Sequence, residues 1–444
     1  MAGLMPVACA HSAEIHSGMK LQGEYSASIL TNTVGIYTRF NSDPIAIVVV
    51  PPDQAHSNYG YFAYRLYFSL KTKTIKRSQS VNEKEETDMY TIKDKGKFHT
   101  LPELALWIYE GQVQKLREAW AAGRYTELNQ PLSLSKNIKL TPLQLALIMG
   151  KSSIVEALLE REVELNDPQY PAMLTAVRYA NETDIRKLYA AGAKLELMSR
   201  LNNNAYDEAY YGNKKNIPLL HELGLDIRQH AGAILRKAVS QHDLRMIEYL
   251  VEQGVDINYN KPDSIFPYRA TPLTVAVRNG YDKIARYLIE QGADLTICED
   301  NGDRAYTIAV SEKHTELAAY IQSLEPPAFH DRSNKLHALR AYKLPAALVE
   351  RLSGDPLTLT LPENELGIGY IEFFTLTDTI EMRLGRTRLL RLSATIDNYS
   401  GLHIVWHPGS RKIGCYDEEH KGYHSLASWN DFIAHPLASL DRVF

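Results

Sequence analysis

Three stretches of this chain follow one pattern, and that pattern leaves the fold little freedom. "TPLQLALIMGKSSIVEALLEREVELN" begins at Thr141, "ILRKAVSQHDLRMIEYLVEQGVDIN" at Ile234 and "TPLTVAVRNGYDKIARYLIEQGADLT" at Thr271. Each gives a helix with small residues, a polar turn and a second, apolar helix; the last two close on Gly-Val-Asp or Gly-Ala-Asp. A unit of this size cannot bury its apolar face alone, so copies must stack. Gly192, Gly224, Gly254 and Gly292 mark successive unit ends, at spacings of 32, 30 and 38.

Each recurring residue has a physical task. Thr141 and Thr271 cap a helix, and Pro142 and Pro272 follow at its first turn, where no N–H is needed. Ala146, Ala176, Ala209, Ala238, Ala276 and Ala309 recur at one place and let antiparallel helices approach closely. Ile247, Leu250, Ile284 and Leu288 supply the apolar face of the second helix. The closing glycine takes the left-handed conformation that ends a helix.

This pattern resembles the ankyrin repeat over residues 103–325, as about seven units. The first ("ELALWIYEGQVQKLREAWAAGRYTELN") and the fourth ("AYDEAYYGNKKNIPLLHELGLDI") are degenerate. The resemblance implies a helical solenoid that binds other proteins, with its first helices lining a concave surface. On that surface the fourth unit places Tyr206, Tyr210 and Tyr211. The 38-residue spacing contains an insertion, "YNKPDSIFPYRA", and insertions of this kind fall on one face, often the binding face. Tyr259, Phe266, Tyr268 and Arg269 in it are interface-anchor residue types. Gap-filling between imperfect repeats is the alternative role for these side chains.

Composition narrows the function. A net charge of −4 gives no electrostatic footprint for nucleic acid or an anionic membrane. Cys9, Cys298 and Cys415 form no CxxC pair, which argues against a disulfide framework or zinc finger. No apolar run approaches the ~20 residues of a membrane-spanning helix. With 27 Tyr against 10 Phe, the chain is rich in a side chain that suits interfaces.

The flanks read as β-containing. Residues 1–19 include Ala8-Cys9-Ala10, which looks like an export-signal cleavage site or, at Cys9, a lipoprotein-type site, although the first Lys is Lys20. Export would place the chain in the periplasm; otherwise it works in the cytoplasm. Residues 20–98 suggest a small antiparallel unit of about four strands: "ASILTNTVGIYTRF", "AIVVV" and the alternating "GYFAYRLYFSLK", with a polar hairpin tip or linker over 71–97. "LEPPAFHDRSNK" over 324–335 ends the array, and an α+β domain follows over 330–444. There "LPAALVERLSG" predicts a helix, "IGYIEFFTLTDTIEMRL" a strand then a helix, and "LHIVWHPGSRKIGCYDEE" a hairpin turning at Pro408-Gly409-Ser410. "SLASWNDFI" starts a last helix with Trp429, Phe432 and Ile433 on its apolar face.

That order, with Leu344-Pro345, "FFTL" from Phe373, Pro408-Gly409, the acidic run Asp417-Glu418-Glu419 and the closing helix, resembles the SUKH superfamily of bacterial toxin-immunity domains. "SGD" from Ser353 and Trp429 depart from it, where the family usually has Asn-Gly-Gly and Phe. The whole is an α+β multidomain chain: an N-terminal β unit, a central ankyrin-like α-solenoid and a SUKH-like C-terminal domain. The resemblances imply an immunity protein that neutralises one cognate toxin or secreted effector, such as a type VI-delivered lipase. A general ankyrin adaptor is the alternative. In either case Asp417, Glu418 and Glu419 offer an acidic patch to a basic partner. His403, His407, His420 and His424 lack metal-ligand spacing, and no phosphate loop, dinucleotide fingerprint or nucleophile elbow occurs. No cofactor and no catalysis are therefore expected.

Overall fold

The computed structural model describes residues 89–441 and, before them, the backbone of the strands Glu14–Ile15, Met19–Lys20, Ser26–Leu30, Thr33–Phe40 and Asp43–Val49. The last three form an antiparallel sheet in chain order, with Ile36 opposite Ala27 on one side and Ile47 on the other. "ASILTNTVGIYTRF" thus yields two strands and "AIVVV" most of a third. The possible cleavage site at Ala8–Ala10, the strand expected from Gly60 and the polar stretch over 71–88 lie outside the described residues.

Seven helix pairs follow. They are Glu103–Glu110 with Val113–Ala121, Pro142–Ile148 with Ser152–Leu159, and Ala172–Tyr179 with Glu182–Ala190. Then come Ala205–Tyr211 with Asn216–Glu222, Gly232–Ser240 with Leu244–Glu252, Pro272–Arg278 with Asp282–Glu290, and Ala305–Ser311 with Thr315–Leu324. First helices pack on first helices of neighbouring pairs, as in Ala172–Tyr179 against Ala205–Tyr211. They are called inner helices below, and their partners outer helices.

The local reasons are those the residue types suggest. Thr141 and Thr271 accept from the amides of Gln144 and Thr274, and each forms a full capping box with Pro at the first turn. All six recurrent alanines are sealed from solvent, as are Ile247, Leu250, Ile284 and Leu288. Gly192, Gly224, Gly254 and Gly292 all have φ between 76° and 102°, where a Cβ would be strained. Gly212 is different: its φ is −109°, but a Cβ there would lie 2.2 Å from the Arg178 carbonyl oxygen. The fourth and third inner helices meet at that point. Gly212→Ala should cost about 1–3 kcal/mol through overpacking, read by urea denaturation. An unchanged midpoint would show that the two helices separate freely.

Both ends of the array are covered. At the start, the hairpin Tyr90–Ile92/Gly96–Phe98 inserts Ile92 and Phe98 into the core of the repeats. Tyr90 meets Tyr109 edge to face, and Asp94 at the hairpin turn accepts from Tyr179 at 3.0 Å. Residues 90–98 are therefore not the solvated linker expected over 71–97. Their few apolar residues all point one way, and the repeats supply the missing partner.

At the other end stands an α+β region. One antiparallel sheet has the order Ile380–Leu384, Thr387–Arg391, Leu402–His407, Lys412–Asp417, Gly422–Ser425; a second has Thr358–Thr360, Tyr370–Phe373, Ser393–Ile396. Helices Ala346–Leu352 and Trp429–Ala434 close the core around Phe373, Trp406, Trp429 and Phe432. The hairpin at Pro408 and the helix at Trp429 form as expected. The helix expected after Tyr370–Phe373 does not: Leu376–Asp378 makes one tight turn and Ile380–Leu384 is a strand. Ile380 and Met382 are buried while Glu381 and Arg383 are exposed, a two-residue period broken from the preceding strand by threonines.

The segment 324–335, expected to end the array, is mostly exposed and is anchored at Glu325. Glu325 is buried and takes Arg304 at 2.7 and 3.0 Å and His330 at 2.9 Å.

Candidate protein-binding face

The outer helices carry a lattice of exposed ion pairs: Arg117–Glu160, Arg186–Glu182, Arg186–Glu222, Lys187–Glu156 and Arg286–Asp282. Such pairs are well solvated and contribute little to stability. The inner helices pair several tyrosines with cations, an arrangement that Arg286 and Tyr320 also make at 4.1 Å on the outer side. Arg178 binds Glu208 at 2.9 Å, and its guanidinium lies 5.5 Å from the Tyr179 ring. Burial first, together with Asp94, raises the Tyr179 hydroxyl to about 12, so it stays a donor. Lys237 is buried, bonds Asp207 at 2.7 Å and lies 4.8 Å from the Tyr211 ring. Lys214 sits 4.1 Å from the Tyr210 ring.

The anchor residues read from the sequence divide sharply. Tyr206 is 0% exposed, and its hydroxyl donates to the Leu225 carbonyl at 2.7 Å. Tyr210 is 2% exposed and donates to Gln241 at 3.0 Å. Both belong to the core of the repeats. Burial raises both hydroxyls above the ordinary tyrosine range. Tyr211 alone of the three faces outward, at 41% exposure.

The insertion is not a free loop. Arg236, 0% exposed, donates to the Ala270 carbonyl at 2.8 Å, the Lys261 carbonyl at 2.9 Å and Asp263 at 2.6 Å. Its guanidinium lies 5.1 Å from the Tyr259 ring and 4.7 Å from the Phe266 ring. Phe266 is buried, and Tyr259 packs so closely on Gly232 that a Cβ there would lie 2.2 Å from the ring. Tyr268 is half-buried against Phe266 and near Arg278. Arg269 is exposed, with φ of 64°. Phe266 is thus a core residue and Tyr259 mainly packing, while Tyr268 and Arg269 keep surface to offer.

The acidic run divides too. Asp417 closes its own turn, accepting from the amides of Glu419 and His420 and from the His420 ring at 2.7 Å. Glu418 turns inward to His403 at 3.1 Å and Asn301 at 3.0 Å. Burial opposes its charge, but His403, Arg391 and Asn301 outweigh that and hold the carboxyl at about 2. Only Glu419 is left exposed, so the run is not a three-charge patch. His403 is buried and kept below its usual range by burial and Arg391; His407 bonds Ser410 locally. Among the described residues no group of three or more His, Cys, Asp or Glu side chains is placed to hold a metal ion.

Sequence reasoning missed Arg236, Lys237 and the contact of Arg391 with Asp303. A signal existed for the first two. "ILRKAVS" sets Arg and Lys where apolar or small residues belong in an inner helix, and an acid-bearing insertion follows.

Comparison with known proteins fits this geometry. A model of ankyrin repeats in three copies matches residues 235–327. A putative ankyrin repeat protein of Acanthamoeba polyphaga mimivirus is 23% identical over 39% of this chain and 54% of its own length. Protein phosphatase 1 regulatory subunit 27 of Mus musculus is 36% identical over 20% of this chain and 51% of its own. The chain thus spans about half the length of these relatives. The crystallised ankyrin repeat domain of Bcl-3 aligns with 49% of this chain and 97% of that domain, at 23% identity and a TM-score of 0.39. The chain carries an ankyrin-repeat solenoid between an N-terminal and a C-terminal β-containing region.

Proposed function

We propose that this protein is a non-catalytic adaptor that binds another protein through the inner helices of its repeats. The observation that carries this reading is the contrast between faces. Outer helices present mainly solvated ion pairs, with Tyr189 and Leu244 as isolated exposed side chains, while the inner side presents Tyr211, Tyr268, Arg269 and the partly exposed Arg178. Aromatic and Arg side chains provide most hot-spot energy at interfaces. The relatives support the same reading, being named for their repeats or as a regulatory subunit. An interface of ordinary size needs about 1,200–2,000 Å², and seven stacked units offer room for it.

A narrower reading makes the partner a toxin or secreted effector. What supports it is the order of the C-terminal elements: the Ala346–Leu352 helix behind Leu344-Pro345, strand Tyr370–Phe373, the hairpin at Pro408 and the Trp429–Ala434 helix. These are elements of the order on which the SUKH resemblance rests; the helix expected after Tyr370–Phe373 is a strand instead.

The experiment is capture of a stoichiometric partner from the source cell, with Tyr211→Ala and Arg269→Ala beside the parent chain. Both positions are exposed, so the variants should fold normally. Each true anchor should weaken binding by ~2 kcal/mol, mostly through faster dissociation. Equal affinity of both variants and the parent would defeat the inner-face reading. Growth rescue in a cell expressing the captured partner tests the narrower one.

A further inference from the structure

Residues 299–303 join the repeats to the C-terminal sheets. The Glu299 amide donates to the Asp303 carbonyl at 2.7 Å, closing the loop on itself. Asp303 takes Arg391 at 2.9 Å, with both side chains buried. Asn301 donates to Glu418 at 3.0 Å. Gly302 lies so near the next strand that a Cβ would stand 2.7 Å from Ile380 and 2.9 Å from the Glu381 carbonyl oxygen. Val310 packs beside this loop on Phe374, Ile380 and Ala394.

Within this joint Glu299 is almost fully enclosed, its side chain 1% exposed. Arg278, on the sixth inner helix, reaches one carboxyl oxygen at 2.5 Å. The other oxygen, Oε1, is sealed from solvent; Thr274 lies near the carboxyl, but its hydroxyl donates to the Thr271 carbonyl at 3.1 Å, so Oε1 has no well-formed hydrogen bond. A charged oxygen in that position lacks compensation; a neutral carboxyl does not need it.

The facing charges have the same bias. From its own loop Glu299 meets Asp303, while Arg304 is committed to Glu325. From the seventh unit Glu312, with His314, acts on the same Arg278 and Asp303; from the C-terminal sheet Glu418 acts on Glu299 itself, with His403 and Arg391 around it. Arg391 is already committed to Asp303. Two acids, Asp303 and Glu418, therefore act on the carboxyl against one guanidinium, that of Arg278.

We propose that the 299–303 loop is a proton-operated joint: a neutral Glu299 keeps the repeats and the C-terminal region locked together, and loss of its proton loosens them. Burial chiefly, then Asp303 and Glu418, raises the Glu299 carboxyl to about 7 against the pull of Arg278 and Thr274. A raised folded-state value means that the folded joint binds the proton more tightly than the open one. Its contribution is full below the ordinary carboxylate range and fades as pH rises through about 7. Glu418 has the opposite sign: its contribution is present above the ordinary range and is lost as pH falls towards about 2. The lock is tightest in mildly acidic solution. A partner that bridges the repeats and the C-terminal region, on the reading above, would bind with the same pH dependence.

The test is amide hydrogen exchange of the full chain at about pH 5.5 and about pH 8, corrected for the intrinsic pH dependence of exchange. It needs no partner, so it is independent of the binding reading. Protection over 299–304 should fall roughly tenfold or more at the higher pH, while the second to fourth repeats hold theirs. Glu299→Gln should abolish that fall. Arg278→Gln, which removes the opposing charge, should move its midpoint to higher pH, and it serves should E299Q fold poorly. Unchanged protection in the parent chain, an equal fall in E299Q, or an unmoved midpoint in R278Q would overturn the proposal.

Discussion

Arg236→Ala should lower the unfolding free energy by about 3–5 kcal/mol, the loss typical when one member of a buried ion pair is removed. Arg236 satisfies the Ala270 and Lys261 carbonyls and Asp263 at once, and lies close to the Tyr259 and Phe266 rings. Its loss leaves a cavity beside two aromatics and unpaired acceptors in the fifth and sixth units. Arg236→Lys should recover little, because an ammonium cannot span three acceptors as a planar fork does. Urea denaturation measures the loss, and exchange over 259–270 locates it. A loss under about 1 kcal/mol would mean that the insertion holds itself in place.

Arg391→Ala should be comparably severe, at about 3–5 kcal/mol, for a related reason. Arg391 is 4% exposed, binds Asp303 across the junction and also donates to the Ser393 and Ala394 carbonyls. Without it, Asp303 remains as a buried charge held only by Asn301 and Thr307. The double variant Asp303→Asn/Arg391→Met should therefore lose clearly less than the sum of the two single changes. Strict additivity would show that the two groups act independently.

Much of the array was legible because its signals are local. Thr-Pro at helix starts, alanines at close approaches and glycines at helix ends each depend on a few neighbouring residues. The chain therefore announces seven units even where the fourth is degenerate. The binding residues were less legible because exposure is decided by other units. Tyr206 and Tyr211 have the same side chain on one short helix. Yet the Leu225 carbonyl, which lets Tyr206 be buried, comes from the loop after the next helix. A tyrosine's polar tip permits either fate, and its spacing alone does not choose.

The charged segments misled for the same reason. Asp417-Glu418-Glu419 reads as one patch, but the groups that consume Glu418 are His403, 15 residues earlier, and Asn301, 117 residues earlier. Residues 324–335 read as an exposed break because of Pro326-Pro327. Most of them are exposed, and the pairing of buried Glu325 with Arg304 anchors the segment at one end. In the C-terminal region a helix is expected over Ile380–Leu384, but the alternation there is that of a strand.

The central claim is that binding occurs on the inner helices. Hydrogen exchange of the complex with its captured partner tests it most directly. The account predicts new protection over Ala172–Tyr179, Ala205–Tyr211, Gly232–Ser240 and the insertion, with Glu182–Ala190, Asn216–Glu222 and Leu244–Glu252 unchanged. Protection confined to those three outer helices, with the inner ones exchanging as in the free protein, would contradict it.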